Sequence, residues 1–337
     1  MMQQLMNINN RMREYGSRFL RGLSWLYNEA VLQRENTEQI RVIDFRCRLI
    51  SGTGGDYFSN RTDSANPAAA SGAQGERAFF RMLDDAGIRC AVSVSGQNPG
   101  MKLDKHVLPA RECSNDEMAD VQKRYPGRFM GVAGIDASDE MHNSLKELER
   151  SSGMGLKAAF IEPGRAPLYV PNLADRRLYP VYELARDLDM TLIPQTSGLY
   201  GGKNIDYAHP RWIDQVSEDF PDLRIVCGHG CYPYFRELIV VCRRRSNIWM
   251  SPDIYMFAAG GNEVRDAVNR GEIADSFIFG SAYPAYPDLK KFFRAFMNLG
   301  WKKDVVEKIL YRNALRAMSV ENDDVFLENF FSSGTGQ

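Results

Sequence analysis

The chain has 337 residues, of which 44% are hydrophobic and 25% are charged, an ordinary composition for a globular domain with a full hydrophobic core. Its 42 basic and 43 acidic side chains leave a formal net charge of -1 at pH 7. This balance argues against the strongly basic surface that nucleic acids or anionic membranes require, so we expect neither as a partner.

Residues 1–40 form an amphipathic stretch that arginines interrupt, without the apolar core of a signal peptide or a spanning helix. We predict a helical extension here, which covers the bottom of the next domain or contacts a second subunit of a homo-oligomer. The six cysteines include no Cys-x-x-Cys pair, as is typical of reduced thiols. Together these features predict a cytoplasmic protein.

From residue 41 onward, short apolar runs alternate with longer stretches of helical periodicity, the pattern of repeated βα units with a parallel sheet. Eight units favour an α/β fold of the (β/α)8 TIM barrel type, which we place at residues 41–320, with residues 321–337 as a C-terminal tail. The eight predicted strands are 41–47, 89–95, 129–135, 156–162, 190–196, 224–230, 247–253 and 276–282.

An open doubly wound sheet is the main alternative, but it normally carries a glycine-rich phosphate turn directly after its first strand. Here the first strand is followed by a long Gly/Ser/Asn/Ala segment, residues 51–75. Because this segment leaves the carboxyl end of a barrel strand, we expect either an active-site lid or disorder.

Four segments resemble the amidohydrolase-related family, which includes aminocarboxymuconate-semialdehyde decarboxylase, resorcylate-type decarboxylases and several hydrolases. The resemblance runs from about Arg41 to about Val320. It implies the barrel fold, because the four segments occur in the family's order and at a spacing that suits eight strands. The segments are YPVYELARDLDMTLIPQTSG, FPDLRIVCGHG, FIFGSAYP and YRNALRAM.

The family's metal ligands are replaced in this sequence. The resemblance places histidines at two positions in the first strand and one in the fifth, and an aspartate in the eighth; this chain has Arg46, Arg48, Gln195 and Ala282 there. A guanidinium group stays cationic and has no lone pair to donate, so two of them repel a metal ion. We therefore predict a site without a metal or another cofactor.

Side chains at i and i+2 of a strand share one face, so Arg46 and Arg48 should both face the barrel interior near its rim. Buried guanidinium groups need an anion, which a substrate carboxylate or phosphate supplies. The alternative is permanent neutralisation by Asp44, Glu162 or Asp253. The first reading predicts a small anionic organic substrate.

His229, in the GHG segment, matches a family histidine that works as an acid or base; the alternative is a histidine that only packs. Glu162 and Asp253 close the fourth and seventh predicted strands, and we predict catalytic roles in which either orients His229 or pairs with an arginine. Gln195 and Tyr283 are predicted substrate contacts.

These residues predict a metal-independent hydrolase of a small carboxylated ester, lactone or amide, with the arginine pair holding the anion and His229 activating water. One alternative is a lyase, such as a non-oxidative decarboxylase, which would use the same residues. The other is a non-catalytic relative, which the placement of two arginines on one inward face makes less favourable.

Overall fold

A computed structural model describes residues 40–49, 73–94, 96–98, 100–103, 106–108, 111–112, 114–136, 141–165 and 170–332 of the chain. The predicted helical extension at residues 1–40 lies outside this part, except for its last residue. Most of the 51–75 segment also lies outside it, but residues 73–75 already belong to a helix, so the predicted loop is shorter than expected.

The described residues contain a parallel sheet of seven strands, whose spatial order follows the chain order. All seven strands are buried along their whole length, as expected for a parallel sheet with both faces covered. The strands are β1 (Ile43–Asp44), β2 (Cys90–Val94), β3 (Phe129–Ile135), β4 (Ala158–Ile161), β5 (Thr191–Pro194), β6 (Ile225–Gly228) and β7 (Ile248–Ser251).

The described α-helices lie between and after the strands. They are α1 (Ala73–Ala86), α2 (Asn115–Arg124), α3 (Met141–Gly153), α4 (Tyr179–Asp187), α5 (Arg211–Asp219), α6 (Phe235–Arg244), α7 (Gly261–Asn269), α8 (Leu289–Met297), α9 (Lys303–Glu307), α10 (Asn313–Ala317) and α11 (Asp324–Phe331). Between β2 and α2, two short antiparallel pairs join Gln97–Asn98 to Arg111–Glu112 and Met101–Leu103 to His106–Leu108.

The eighth predicted strand, 276–282, differs from its prediction, because it makes only one bridge, from Phe277 to Met250 of β7. On its other side, the Phe45 backbone N–H donates to the carbonyl of Phe279, 3.0 Å away. The segment therefore lies between β7 and β1 and connects the two edges of the sheet. Two of its neighbouring carbonyls, of Ala274 and Phe277, accept from the buried side-chain amide of Asn313 instead of from a strand.

The core has an inner and an outer layer. The inner layer includes Ile43, Val92 and Val226, and reaches Phe330 of α11. The outer layer lies between the strands and the helices and includes Phe79 of α1. Helix α11 therefore packs on its own chain, and the carboxyl ends of the strands remain to build a site.

Candidate active site

The predicted catalytic residues and Gln195 lie within two residues of the carboxyl ends of four neighbouring strands. Glu162 follows β4, Gln195 follows β5, His229 follows β6 and Asp253 follows β7 by two residues. Because the strands are parallel and neighbours in space, these side chains begin at one edge of the sheet.

Arg46, His229 and Asp253 form a closed, buried group. Nε of Arg46 lies 3.1 Å from Oδ2 of Asp253, and Nη2 of Arg46 lies 2.9 Å from Nε2 of His229. Nδ1 of His229 lies 2.9 Å from Oδ1 of Asp253 and 2.8 Å from Oδ2. The Arg46 side chain is 2% exposed, that of Asp253 0% and that of His229 12%, so the three charges and dipoles interact with little solvent screening.

The hydrogen bonds determine the protonation of His229. Arginine can only donate, so Nε2 of His229 accepts from Arg46, and the Nδ1–H donates to Asp253. The imidazole is therefore neutral. Burial, followed by the charge of Arg46, lowers the pKa of His229 to about 4, although Asp253 acts in the opposite direction.

Three residues at the ends of the strands have an unusual backbone conformation. His229, Asp253 and Ala282 have φ values of 70°, 49° and 56°, a left-handed conformation that costs non-glycine residues about 1–3 kcal/mol each. Gly228 permits the close approach, because a Cβ there would lie 2.2 Å from Nη1 of Arg46. Strained residues of this kind concentrate at functional sites.

Arg48 lies beside this group and is more accessible than Arg46. The two guanidinium carbons lie 5.6 and 5.8 Å from the ring centroid of Phe160, so both arginines face the same aromatic surface. Nε of Arg48 donates to the carbonyl of Val94 at 3.1 Å. Arg48 is half-buried whereas Arg46 is buried.

Asp44, the last residue of β1, binds two backbone N–H groups with its carboxylate. Its Oδ1 accepts the backbone N–H of Arg46 at 3.1 Å and that of Ser281 at 2.9 Å, while burial raises the pKa of this carboxyl to about 6. Asp253, one of the three acids predicted as partners for the arginines, pairs with Arg46. The same carboxylate also accepts a hydrogen bond from His229.

The other predicted site residues have different surroundings. Gln195 is buried, and its Oε1 accepts the backbone N–H of Ser197 at 3.3 Å. Glu162 is buried at the end of β4. Tyr283 belongs to the outer layer, with its ring 6.2 Å from that of Phe79, and its backbone carbonyl accepts the N–H of Arg48 at 3.1 Å. Its substrate contact stays a prediction.

The sequence reading missed an aromatic contact to His229. The ring of Tyr255 meets the imidazole edge to face, with centroids 5.4 Å apart at 84°, and stacks on Tyr232 with centroids 4.4 Å apart. Its hydroxyl lies 2.9 Å from Oγ of Ser197, and burial raises its pKa. Position in the sequence was the available signal, since Tyr255 lies two residues after Asp253.

Fold and site together define a class: an α/β protein with a parallel sheet and a buried Arg–Asp–His group at its carboxyl edge. The sequence profile of the amidohydrolase family matches residues 59–318. The chain belongs to the amidohydrolase family.

Two solved structures are similar to this chain in fold. An uncharacterized TIM-barrel protein from Bordetella bronchiseptica is 30% identical, with a TM-score of 0.69 over 83% of this chain and 99% of that one. The 5-carboxyvanillate decarboxylase of Sphingomonas paucimobilis is 17% identical, with a TM-score of 0.57 over 83% and 99% of the two chains.

A curated relative is the 2-keto-4-carboxy-3-hexenedioate hydratase of a Sphingobium strain. It is 27% identical over 203 residues, which are 52% of this chain and 58% of the relative. The chain thus matches less than two thirds of that relative's length.

The side chains at the site do not suit the divalent metal that the resemblance associates with this fold. Arg46 already donates to Nε2 of His229 and pairs with Asp253. A metal ion could reach these two side chains only by displacing the Arg46 guanidinium group, which is itself a cation and has no lone pair with which to bind a metal. Within the described ranges, no three His, Cys, Asp or Glu side chains are grouped so that they could hold a metal ion.

None of the described helices is long and apolar enough to span a membrane.

Proposed function

We propose that this protein is an enzyme that uses water to hydrolyse a small carboxylated ester, lactone or amide. The observation that carries the proposal is the buried Arg46 cation bound to both His229 and Asp253. A fixed positive charge beside a neutral histidine provides an anion site and a proton acceptor at the same place.

The substrate is proposed to carry at least one carboxylate. Arg48 is half-buried next to Arg46 above Phe160, and a guanidinium group binds carboxylates with two parallel hydrogen bonds. The names of the hydratase and the decarboxylase given above also describe carboxylated substrates, which supports the same class.

Substrate binding is proposed to activate His229. When Arg46 turns a hydrogen bond from Nε2 toward the substrate carboxylate, the Nε2 lone pair becomes available to a water molecule. The anion also offsets the Arg46 charge, which is the second cause of the low pKa of His229, so the imidazole becomes a stronger base when the site is filled.

In the proposed hydrolysis, His229 first accepts a proton and later returns it. A water proton moves to Nε2 of His229, and the water oxygen bonds to the substrate carbonyl carbon. The guanidinium groups stabilise the oxyanion, at about 3 kcal/mol for each well-placed donor. As the oxyanion collapses, the bond to the leaving group breaks, and the imidazolium returns its proton to that group. Asp253 keeps the imidazole oriented throughout, and Gln195, Glu162 and Tyr283 are proposed to assist in binding or positioning.

A second candidate is a lyase of the hydratase type, in which water adds across a carbon–carbon double bond conjugated to a carboxylate. The match to a hydratase favours this candidate. Water is activated by the same residues, but the proton goes to carbon and no bond to a leaving group breaks. Products separate the reactions: two fragments indicate hydrolysis, a single hydrated product indicates a hydratase, and carbon dioxide contradicts both.

The proposal also covers the complete fold, the oligomeric state and the cellular location. We propose a (β/α)8 barrel in which residues 276–282 take the place of the eighth strand, with residues 1–40 as a helical extension, residues 41–320 as the barrel and residues 321–337 as a tail. A homo-oligomer in the cytoplasm, without nucleic-acid or membrane partners, completes the proposal.

The proposed function is tested by screening wild-type protein against carboxylated esters, lactones, amides and conjugated alkenes, with and without the carboxylate. Turnover confined to carboxylated compounds supports it. The rate should fall about 100-fold or more in His229→Gln and in Arg48→Met, and should not change in Arg236→Gln, whose exposed arginine pairs with Glu263. Turnover that survives in His229→Gln overturns the proposed mechanism.

A further inference from the structure

A second concentration of arginines lies at the opposite end of the strands. Arg89 directly precedes β2, Arg128 directly precedes β3, and Arg77 and Arg81 belong to α1. With Arg124 of α2 they line one cavity of about 520 Å³, a volume typical of sites for small molecules. Because the active-site residues follow the carboxyl ends of the strands, this cavity lies at the opposite end of the sheet.

The cavity has more positive than negative charge. Its lining contains five arginines and a single acid, Asp84. Asp84 pairs with Arg128, and Glu76 pairs with Arg124 at 2.6 Å. Arg89 donates to the backbone carbonyls of Asn329 and Phe330 at the end of α11, at 2.6 and 3.1 Å, so these contacts orient its guanidinium group.

Arg77 and Arg81 are exposed, and neither makes an ion pair or a hydrogen bond within the described part of the chain. They are four residues apart on one helix, a spacing at which like charges repel. Repulsion is also evident at Arg89, whose pKa is lowered by burial and then by the charges of Arg128 and Arg41. Guanidinium groups held together against this repulsion are suited to a multiply charged oxyanion.

We infer that this arginine cavity, lined by Arg77, Arg81, Arg89, Arg124 and Arg128, is a binding site for a small polyanion whose charge resides on two or more phosphoryl or carboxylate groups. Arg77 and Arg81 have no acid partner among the described residues, and a diphosphate or a tricarboxylate offers them two or more oxyanion groups. The site is separate from the one proposed for the substrate.

Calorimetric titration of the full chain with pyrophosphate, and separately with propane-1,2,3-tricarboxylate, at low ionic strength tests this inference. Binding of either probe supports it, and the stronger of the two identifies the ligand chemistry. The double variant Arg77→Gln/Arg81→Gln should weaken that binding at least about tenfold, since both charges face the anion. Arg48→Met should not change it, which distinguishes this cavity from the active site.

The matched control is Arg244→Gln/Arg294→Gln, which removes two exposed arginines on other helices that make no ion pair within the described part of the chain. Its affinity should equal that of the wild type. The inference is overturned if neither probe binds wild-type protein at millimolar concentration, if both double variants lose affinity equally, or if Arg48→Met abolishes binding.

Discussion

Arg46 is a cation with almost no access to water, and its partners decide whether the protein tolerates it. Asp253 supplies the opposite charge and His229 supplies a lone pair. Breaking a buried ion pair by removing one member is far more costly than breaking an exposed one, because the remaining charge stays buried.

Replacing Arg46 by methionine should therefore lower the free energy of unfolding by about 3 kcal/mol or more, measured by urea denaturation at pH 7. The exposed arginine of the Arg236–Glu263 pair provides the control, since Arg236→Gln should cost less than about 1 kcal/mol. Equal effects of the two substitutions would show that Arg46 is not held as the structure indicates.

Two buried groups of the site should affect stability in opposite directions as pH changes. His229 has a pKa of about 4 in the fold against 6.5, so the unfolded chain takes up its proton first and stability falls by about 3 kcal/mol as pH falls from 6.5 to 4. Asp44 has a pKa of about 6 against 3.8, so the folded chain takes up its proton first and stability rises by about 3 kcal/mol over a similar window.

The two contributions largely cancel in the wild type, and His229→Gln should expose the second one. Relative to the wild type, this variant should gain about 2–3 kcal/mol of stability as pH is lowered from 7 to about 4.5. Urea denaturation of both proteins at several pH values measures the difference. A difference that does not change with pH would contradict the low pKa of His229.

At the scale of elements, the site depends on what the strand ends place next to Arg46. Gly228, the last residue of β6, has no side chain where the guanidinium group passes. Gly228→Ala should displace Arg46 from His229 and destabilise the fold by about 1–3 kcal/mol. In a ¹⁵N NMR spectrum, the His229 ring signals should shift as well.

Gly153→Ala is the matched control, because a Cβ at Gly153 meets nothing within 4 Å. At the end of α3 this substitution should be neutral or slightly stabilising. If Gly228→Ala behaved in the same way, the close approach of Arg46 to β6 would be refuted.

Asn313 of α10 binds the segment 276–282, which connects the two edges of the sheet. Its buried amide donates to the carbonyls of Ala274 and Phe277, at 2.8 and 2.7 Å. Asn313→Ala should cost about 1–3 kcal/mol, because both carbonyls lose their donor while remaining buried. Thermal denaturation against an exposed substitution such as Asn298→Ala measures this cost, and equal melting temperatures would contradict the assigned role.

The elements themselves were largely predictable, since seven of the eight predicted strands contain an observed one. Apolar runs and their spacing specify such strands locally. The last apolar run, residues 276–282, does not form a regular strand. Its backbone is bound in part by other groups: the Asn313 amide donates to the carbonyl of Phe277, and the carbonyl of Ile309 lies 2.9 Å from the Phe279 nitrogen. Partners thirty or more residues away in the sequence leave no local periodicity.

The site was predictable only where a strand end placed a polar residue. Arg46 and Arg48 were predicted to share one face of the first strand, but β1 ends at Asp44 and both lie beyond it. Their guanidinium groups nevertheless lie over the same ring, that of Phe160. The edge contact of Tyr255 with His229 did not follow from any pattern, because it depends on how a 3-10 turn after β7 folds back.

At the scale of the whole molecule, the two ends of the strands have different chemistry. The carboxyl end holds a buried, internally paired arginine, whereas the amino end holds arginines with a surplus of charge. One chain with almost no net charge can therefore present two separate anion sites, because charge is concentrated locally and balanced elsewhere.

The central claim is that the Arg46 guanidinium group takes the place of a divalent metal beside His229 and Asp253. Elemental analysis of wild-type protein, purified from cultures supplied with zinc and manganese, tests it most directly. We expect far less metal than protein. Stoichiometric metal that is lost in His229→Gln would contradict the claim.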